Sequence, residues 1–213
     1  GRAMTFRQHQ GLIRIAGEGT ATVAPDVDFR EAETPSFRSK VASPIEIVLP
    51  SFVRSVMLDE CWTLTRDDGM EAGGFLFARI PRPRDTSIRL FHATGTGNGI
   101  RRSGSLKLDS AEWIRAEEWI ARNEFHDTDL IGFWHTHPGS DDGMPSNADL
   151  RGFLTALDWN LERGRRAAFS VGLILTADRE GMWGSPRIRG WVTKREGYSG
   201  RPVTEPAEVR RFG

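Results

Sequence analysis

The chain has one cysteine, Cys61, so it forms no internal disulfide and cannot furnish the thiolates of a structural zinc cluster. That scarcity fits a reducing compartment, and Cys61, set between Glu60 and Trp62, reads as a small buried side chain. No apolar run approaches the ~20 residues needed to cross a bilayer, and the opening stretch lacks the apolar segment of a signal peptide. A cytoplasmic protein with no membrane partner is expected. Neither sign of charge dominates: Lys and Arg total 29, and Asp and Glu total 29. Without a net field to attract polyanions, no nucleic-acid partner is expected. Lysine is confined to Lys40, Lys107 and Lys194, which a GC-rich coding sequence explains. The seven tryptophans have no basic stripe beside them, so core filling is the better reading for most.

What is present is enough for one substantial core in 213 residues. Residues 1–44 read as an N-terminal extension, with a hairpin expected around Gly17-Glu18-Gly19. Residues 45–195 carry the domain. "IEIVLP" reads as a strand, followed by a helix capped by Ser51 in which Val53, Val56, Met57, Cys61 and Leu64 recur at helical spacing. "EAGGFLFARI" and "SIRLFHATG" read as adjacent antiparallel strands, and "GTGNGIRRSGS" as a mobile loop. Asp109 caps a helix with Trp113, Ala116, Glu117 and Ile120 on one stripe. "DLIGFWHTH" is a buried strand stopped by Pro138, and "NADLRGFLTALDWNLERG" a helix with Leu150, Phe153, Leu154 and Leu157 inward. Two further strands close the domain, and residues 196–213 read as a C-terminal surface tail. The fold class expected is α/β (α+β), a mixed, largely antiparallel β-sheet flanked by helices.

The chemistry concentrates in "HTHPGSDDGMPSNAD". Alternate residues of a strand share a face, so His135 and His137 project together while Thr136 points away, and two imidazoles can reach one ion. Pro138 ends ladder bonding and releases the chain into a loop. The helix after Pro145-Ser146 carries Asp149 in its first turn, and two nitrogens with one carboxylate oxygen form a ligand set that leaves a fourth position for water. A base is still required, and Glu71, ahead of the narrow Gly73-Gly74, supplies one. Taken alone, Ser146 and Asp149 also form a helix-capping pattern, and His135 and His137 could be ordinary polar residues. A nucleobase deaminase needs P-C-x-x-C, a thermolysin-like protease needs H-E-x-x-H, and neither is present. The facial triad of iron oxygenases fits the ligands but leaves Glu71 and Ser146 without a task.

Glu71, then His135-Thr136-His137-Pro138, Ser146 and Asp149, resembles the signature of the JAMM (MPN+, JAB) zinc metalloproteases: a distant Glu, H-x-H-P, a short loop and S-x-x-D. The resemblance covers roughly residues 45–195. It departs from the pattern in one place, because seven residues separate Pro138 from Ser146 where the family has six, which admits Asp141 or Asp142 as a competing ligand. The resemblance implies a JAB/MPN layering of the cytidine-deaminase-like kind. It further implies one Zn2+ per chain on His135, His137 and Asp149, with Glu71 as general base and Ser146 stabilising the oxyanion. The implied substrate is a peptide or isopeptide bond after the flexible C-terminal tail of a ubiquitin-like or sulfur-carrier-like protein. From the residues themselves, a Gly-Gly tail end is expected to lie by strand addition near Gly73-Gly74, with residues 94–105 as a flap. The alternative is a non-catalytic MPN-type binding or scaffold module. The sequence leaves oligomeric state and leaving group open.

Overall fold

The computed structural model describes residues 35–37, 45–125, 127–140, 142–164, 167–178, 180–196 and 200–212. Among these, strand predominates: β1 (Ser36–Phe37), β2 (Glu46–Pro50), β3 (Gly73–Arg79), β4 (Ser87–Ala93), β5 (Ile100–Arg102), β6 (Ser105–Lys107), β7 (Thr128–Thr136), β8 (Ser170–Thr176), β9 (Arg187–Glu196) and β10 (Arg201–Phe212). The helices are α1 (Ser51–Glu60), α3 (Ser110–Arg122) and α4 (Asn147–Glu162), and α1 runs on through a π-helical turn, Cys61–Thr65, into the short α2 (Arg66–Asp68). None is long and apolar enough to cross a membrane.

The helix-flanked mixed sheet is corrected by the strand pairing. β10, β2, β4, β3, β7, β8 and β9 lie side by side in that order, and β9 pairs back onto β10, closing a seven-stranded barrel. Three neighbouring pairs are parallel, β10–β2, β2–β4 and β7–β8, and the rest are antiparallel. β10 causes the closure: residues 201–207 run against β9, and residues 208–212 continue alongside β2. The segment expected as a surface tail is therefore the strand that joins the two ends of the sheet, which removes both edges. Of the expected N-terminal extension, the described Ser36–Phe37 pairs with Val203 and Thr204, and the predicted hairpin lies outside the described residues.

All seven barrel strands contribute to an interior cluster that includes Ile47, Leu49, Leu76, Leu90, Trp134, Leu173 and Val192; α1 adds Val53 and Met57 to it, and the π-helical turn adds Cys61. Burial pushes the Cys61 thiol up to about 12, with Glu60 adding to the effect, so this cysteine is packing and not a nucleophile. The cap expected at Ser51 is not made; Pro50 occupies the N-cap position. α3 and α4 cover the opposite face of β3 and β7, where Phe75, Phe77, Leu130 and Phe133 meet Trp113, Ile120, Ala156 and Trp159. Asp109 caps α3 by accepting from the Ala111 N–H, as its sequence predicts. Five tryptophans, Trp113, Trp134, Trp159, Trp183 and Trp191, are buried, while Trp62 and Trp119 are exposed.

One irregularity decides which way the histidines face. Leu76 opposes Gly132 but Phe77 opposes Leu130, so Ile131 is an extra residue on β7. Its consequence is visible in the packing: Leu130 and Phe133 face the helices, whereas Ile131 and Trp134 face the barrel interior. Strict alternation from Leu130 would have turned His135 inward. The bulge resets the phase, and His135 emerges on the helix side with Phe133. Close packing depends on glycine here, because a Cβ on Gly132 would run into the main-chain carbonyl of Val171. Gly132→Ala should cost about 1–3 kcal/mol in denaturant unfolding. Gly104→Ala, where a Cβ meets nothing within 4 Å, should change stability by less than about 0.5 kcal/mol.

Candidate metal centre

His135 is the penultimate residue of β7, and His137 follows the strand, its N–H donating to the Leu175 carbonyl of β8 at 2.8 Å. This extra bond carries strand geometry one residue further and keeps both imidazoles on one side. The loop then turns through Gly139 and Gly143, both at positive φ (99° and 61°), and delivers Ser146 to the N-cap of α4. The three predicted ligands meet. His135 Nε2 lies 2.9 Å from His137 Nε2 and 3.0 Å from Asp149 Oδ1, and His137 Nε2 lies 3.3 Å from Asp149 Oδ2. One donor atom from each fits within a 4.8 Å span, a group that could hold a metal ion. Bonds of roughly 2.0–2.1 Å at tetrahedral angles place donors about 3.3 Å apart. The spacings, measured to the two different Asp149 oxygens, are of that order, with the two Nε2 atoms somewhat closer together.

The capping reading and the ligand reading coexist on Asp149. Ser146 N–H donates to Asp149 Oδ2 at 2.6 Å, and Asp149 N–H donates to Ser146 Oγ at 3.2 Å, a reciprocal capping box. The capping box fixes the orientation of this carboxylate toward the imidazoles. Ser146 Oγ accepts from the helix, which leaves its own proton available for another acceptor. Asp142 does not compete, since its carboxylate accepts from the Ser140 hydroxyl and the Met144 N–H. Asp141 lies outside the described residues.

Glu71 opens onto the same cleft, whose walls also include Leu106, Leu108, Phe133, Ser140 and Ser146 and whose volume is about 480 Å³. Burial pushes the Glu71 carboxyl above its ordinary range; His135 and His137 pull it back in part, and Asp149 adds to the rise. For Asp149, burial again opposes the charged form, but His135 and hydrogen bonds from both imidazoles and the Ser146 N–H outweigh it and hold the carboxyl far below the usual carboxylate range. His135 shows the reverse balance, with burial disfavouring its cation and Asp149, then Glu71, lifting its pKa. The three side chains of this group are only 11–14 % exposed. Two carboxyls in one cleft are thus driven in opposite directions.

Several residues of this site escaped the sequence reading. Residues 94–105, expected as a mobile loop or flap, contain β5 and begin β6, a hairpin whose tip lines the cleft. Arg101 from this hairpin donates through Nε to the Glu71 carbonyl at 3.0 Å and through its guanidinium to Asp68 and the Met70 carbonyl, while Glu71 N–H donates to the Arg102 carbonyl at 3.0 Å. No local pattern in a Gly-rich stretch signals such a role. The main chain at Gly73-Gly74, expected to receive a strand, is already engaged: β7 pairs with Gly73 and Gly74, and on the other side the Gly73 and Phe75 N–H groups donate to the Thr96 and Thr94 hydroxyls. Those glycines serve packing instead: a Cβ on Gly74 would strike the Thr94 carbonyl, and one on Gly73 would meet Leu106 Cδ2 at 2.5 Å and His135 Cβ at 2.9 Å. His92 is a packing residue stacked on Trp119, with ring centroids 5.2 Å apart, and burial lowers its pKa. His9 and His126 lie outside the described residues.

No protein-family model matches the sequence, and no curated protein matches it.

An acid whose pKa is raised on folding costs stability once ionised, a cost absent below its unfolded pKa and complete above its folded one. Metal-free Glu71→Gln should therefore resist urea better than wild type at pH 7, with the difference fading below about pH 4, near the unfolded glutamate pKa. Equal stabilities at pH 7 would show that the carboxyl is not desolvated.

Proposed function

We propose that this chain is a zinc-dependent hydrolase of JAMM type. It cleaves a peptide or isopeptide bond after the C-terminal tail of a ubiquitin-like or sulfur-carrier-like protein. The observation that carries the reading is the convergence of His135, His137 and Asp149 at 2.9–3.3 Å beside a carboxyl, Glu71, whose pKa is raised in the same cleft. The likeness to the JAMM pattern is one of motif, not of sheet architecture.

In this reading His135, His137 and Asp149 hold Zn2+, which supplies Lewis acidity to water and to the scissile carbonyl. Glu71, made more basic by burial, takes the proton from the attacking water and delivers it to the leaving amine. Ser146, its oxygen already accepting from the Asp149 N–H, directs its hydroxyl proton to the developing oxyanion. The reaction needs no nucleophilic side chain.

The cleft supports a neutral tail as the acyl portion. Its described walls include acids, Glu71 and Asp149, and apolar groups such as Leu106, Leu108 and Phe133, but no lysine or arginine. Away from the ion, a substrate carboxylate would find no lysine or arginine to pair with among the described walls, whereas an uncharged extended segment loses little on desolvation.

The test is incubation with ubiquitin-like and sulfur-carrier-like proteins carrying a C-terminal extension. Zinc-loaded wild type should release the extension, and chelation should abolish release. Glu71→Gln should lose about 10²-fold or more in kcat while keeping the zinc-induced rise in Tm. Asp149→Asn should lose most of that rise. Cleavage that survives chelation, or that Glu71→Gln performs at the wild-type rate, would rule the mechanism out. A protein that binds zinc yet cleaves nothing would favour the alternative of a binding or scaffold module.

A further inference from the structure

Three threonine hydroxyls meet the backbone just after Glu71. Ala72 N–H donates to Thr136 Oγ1 at 2.8 Å, Gly73 N–H to Thr96 Oγ1 at 3.1 Å, and Phe75 N–H to Thr94 Oγ1 at 2.9 Å. All three threonines are buried, between 0 and 4 % exposed. In an antiparallel hydrogen-bonded pair the two residues exchange both main-chain bonds. Thr136 N–H does donate to the Ala72 carbonyl, at 2.7 Å, but the return bond from Ala72 N–H goes to the threonine hydroxyl instead of its carbonyl. The ladder between β3 and β7 thus ends on a side chain, at the residue between the two imidazoles. Thr136 Oγ1 is braced in turn by Thr65 Oγ1 at 3.1 Å, and Thr65 closes the π-helical turn Cys61–Thr65. A π turn inserts one extra residue per turn and so changes which side chains face inward. Here Thr65 is the residue presented, and it is 1 % exposed.

From this arrangement we infer that Thr136, braced by Thr65, is a positioning residue that locks the base Glu71 to the metal ligands. The inference rests on the hydrolase reading of the site. Among the described residues none hydrogen-bonds the Glu71 carboxyl, and its place is set through the main chain. On one side Arg102 O and Arg101 Nε hold the Glu71 N–H and carbonyl. On the other, Thr136 holds the N–H and carbonyl of Ala72, the next residue. His135 and His137 flank Thr136 in sequence, so base and ligands belong to one hydrogen-bonded unit. A threonine suits the position because its hydroxyl can accept from Ala72 while donating to, or accepting from, Thr65 in a space with no water-facing side. Valine keeps the shape and loses the bond. Because a displacement of about 1 Å at a reacting group can cost on the order of 10²-fold, a slack Ala72 should slow the chemical step without weakening substrate binding.

The experiment compares zinc-loaded wild type, Thr136→Val, Thr136→Ser and Thr65→Val by amide hydrogen exchange over residues 70–77, by zinc affinity, and by kcat and KM on the cleavable fusion. Thr136→Val should exchange the Ala72 amide at least tenfold faster, lower kcat at least tenfold, and leave KM and zinc affinity within about threefold of wild type. Thr136→Ser, which keeps the hydroxyl, should restore both exchange and kcat to within about threefold, and Thr65→Val should show a smaller loss of the same kind. If Thr136→Val does not fold, Thr65→Val carries the decision. Wild-type exchange at Ala72, or faster exchange with unchanged kcat in a protein that is active as wild type, overturns the inference alone. A wild type that hydrolyses nothing overturns the hydrolase reading and this inference together.

Discussion

The Asp149 carboxylate, facing two imidazoles at 3.0 and 3.3 Å, is the interaction on which the site depends. It ties the first turn of α4 to the end of β7 and brings charge into a space that is mostly excluded from water. Neither partner would be placed there without compensation, since burying an unpaired carboxylate costs several kcal/mol. The pull of His135 on Asp149 repays that cost in the metal-free protein, and a divalent ion would repay it more fully. A capping box on the same carboxylate means that helix initiation and ligand placement are one structural event.

The barrel provides the rigidity. β3, β7 and β8 are each flanked by a strand on both sides, and β10 joins the outer strands β2 and β9, so the strands that lead to Glu71, His135 and His137 sit in the middle of a closed sheet. The extra residue at Ile131 then chooses the face. Its position, four residues before His135, is far enough to leave the ligand end regular and close enough that no second irregularity intervenes. Interior side chains such as Ile47, Leu76 and Leu173 are fully buried, each contributing on the order of 1.5–3 kcal/mol, and this core tolerates a polar cleft built into its wall.

Much of this was legible in the residues. The i, i+2 histidines, the stop at Pro138 and the acid in the next helical turn are local patterns, and local geometry realised them. The helical stripes of α3 and α4 and the antiparallel β3–β4 pair were equally plain, because apolar periodicity reports directly on which face is buried. What was not legible is non-local. β10 carries Pro202 and Pro206, which read as strand breakers, and its pairing with β2 links residues more than 150 positions apart. Nothing in "GRPVTEPAEVRRF" marks it as the strand that closes a barrel. The hairpin of β5 and β6 was hidden by glycines, and with it the grip of Arg101 on Glu71. Gly73 and Gly74 pointed to a narrow place but not to what fills it: the space is taken by Thr94, Leu106 and His135.

The central claim is that one divalent ion sits among His135, His137 and Asp149. X-ray absorption at the zinc edge, on protein loaded with one equivalent of Zn2+, measures this directly. The account predicts two imidazole nitrogens and one carboxylate oxygen at about 2.0–2.1 Å, with saturation at one ion per chain. Binding that never saturates at one equivalent, or a spectrum without imidazole scattering, would contradict it.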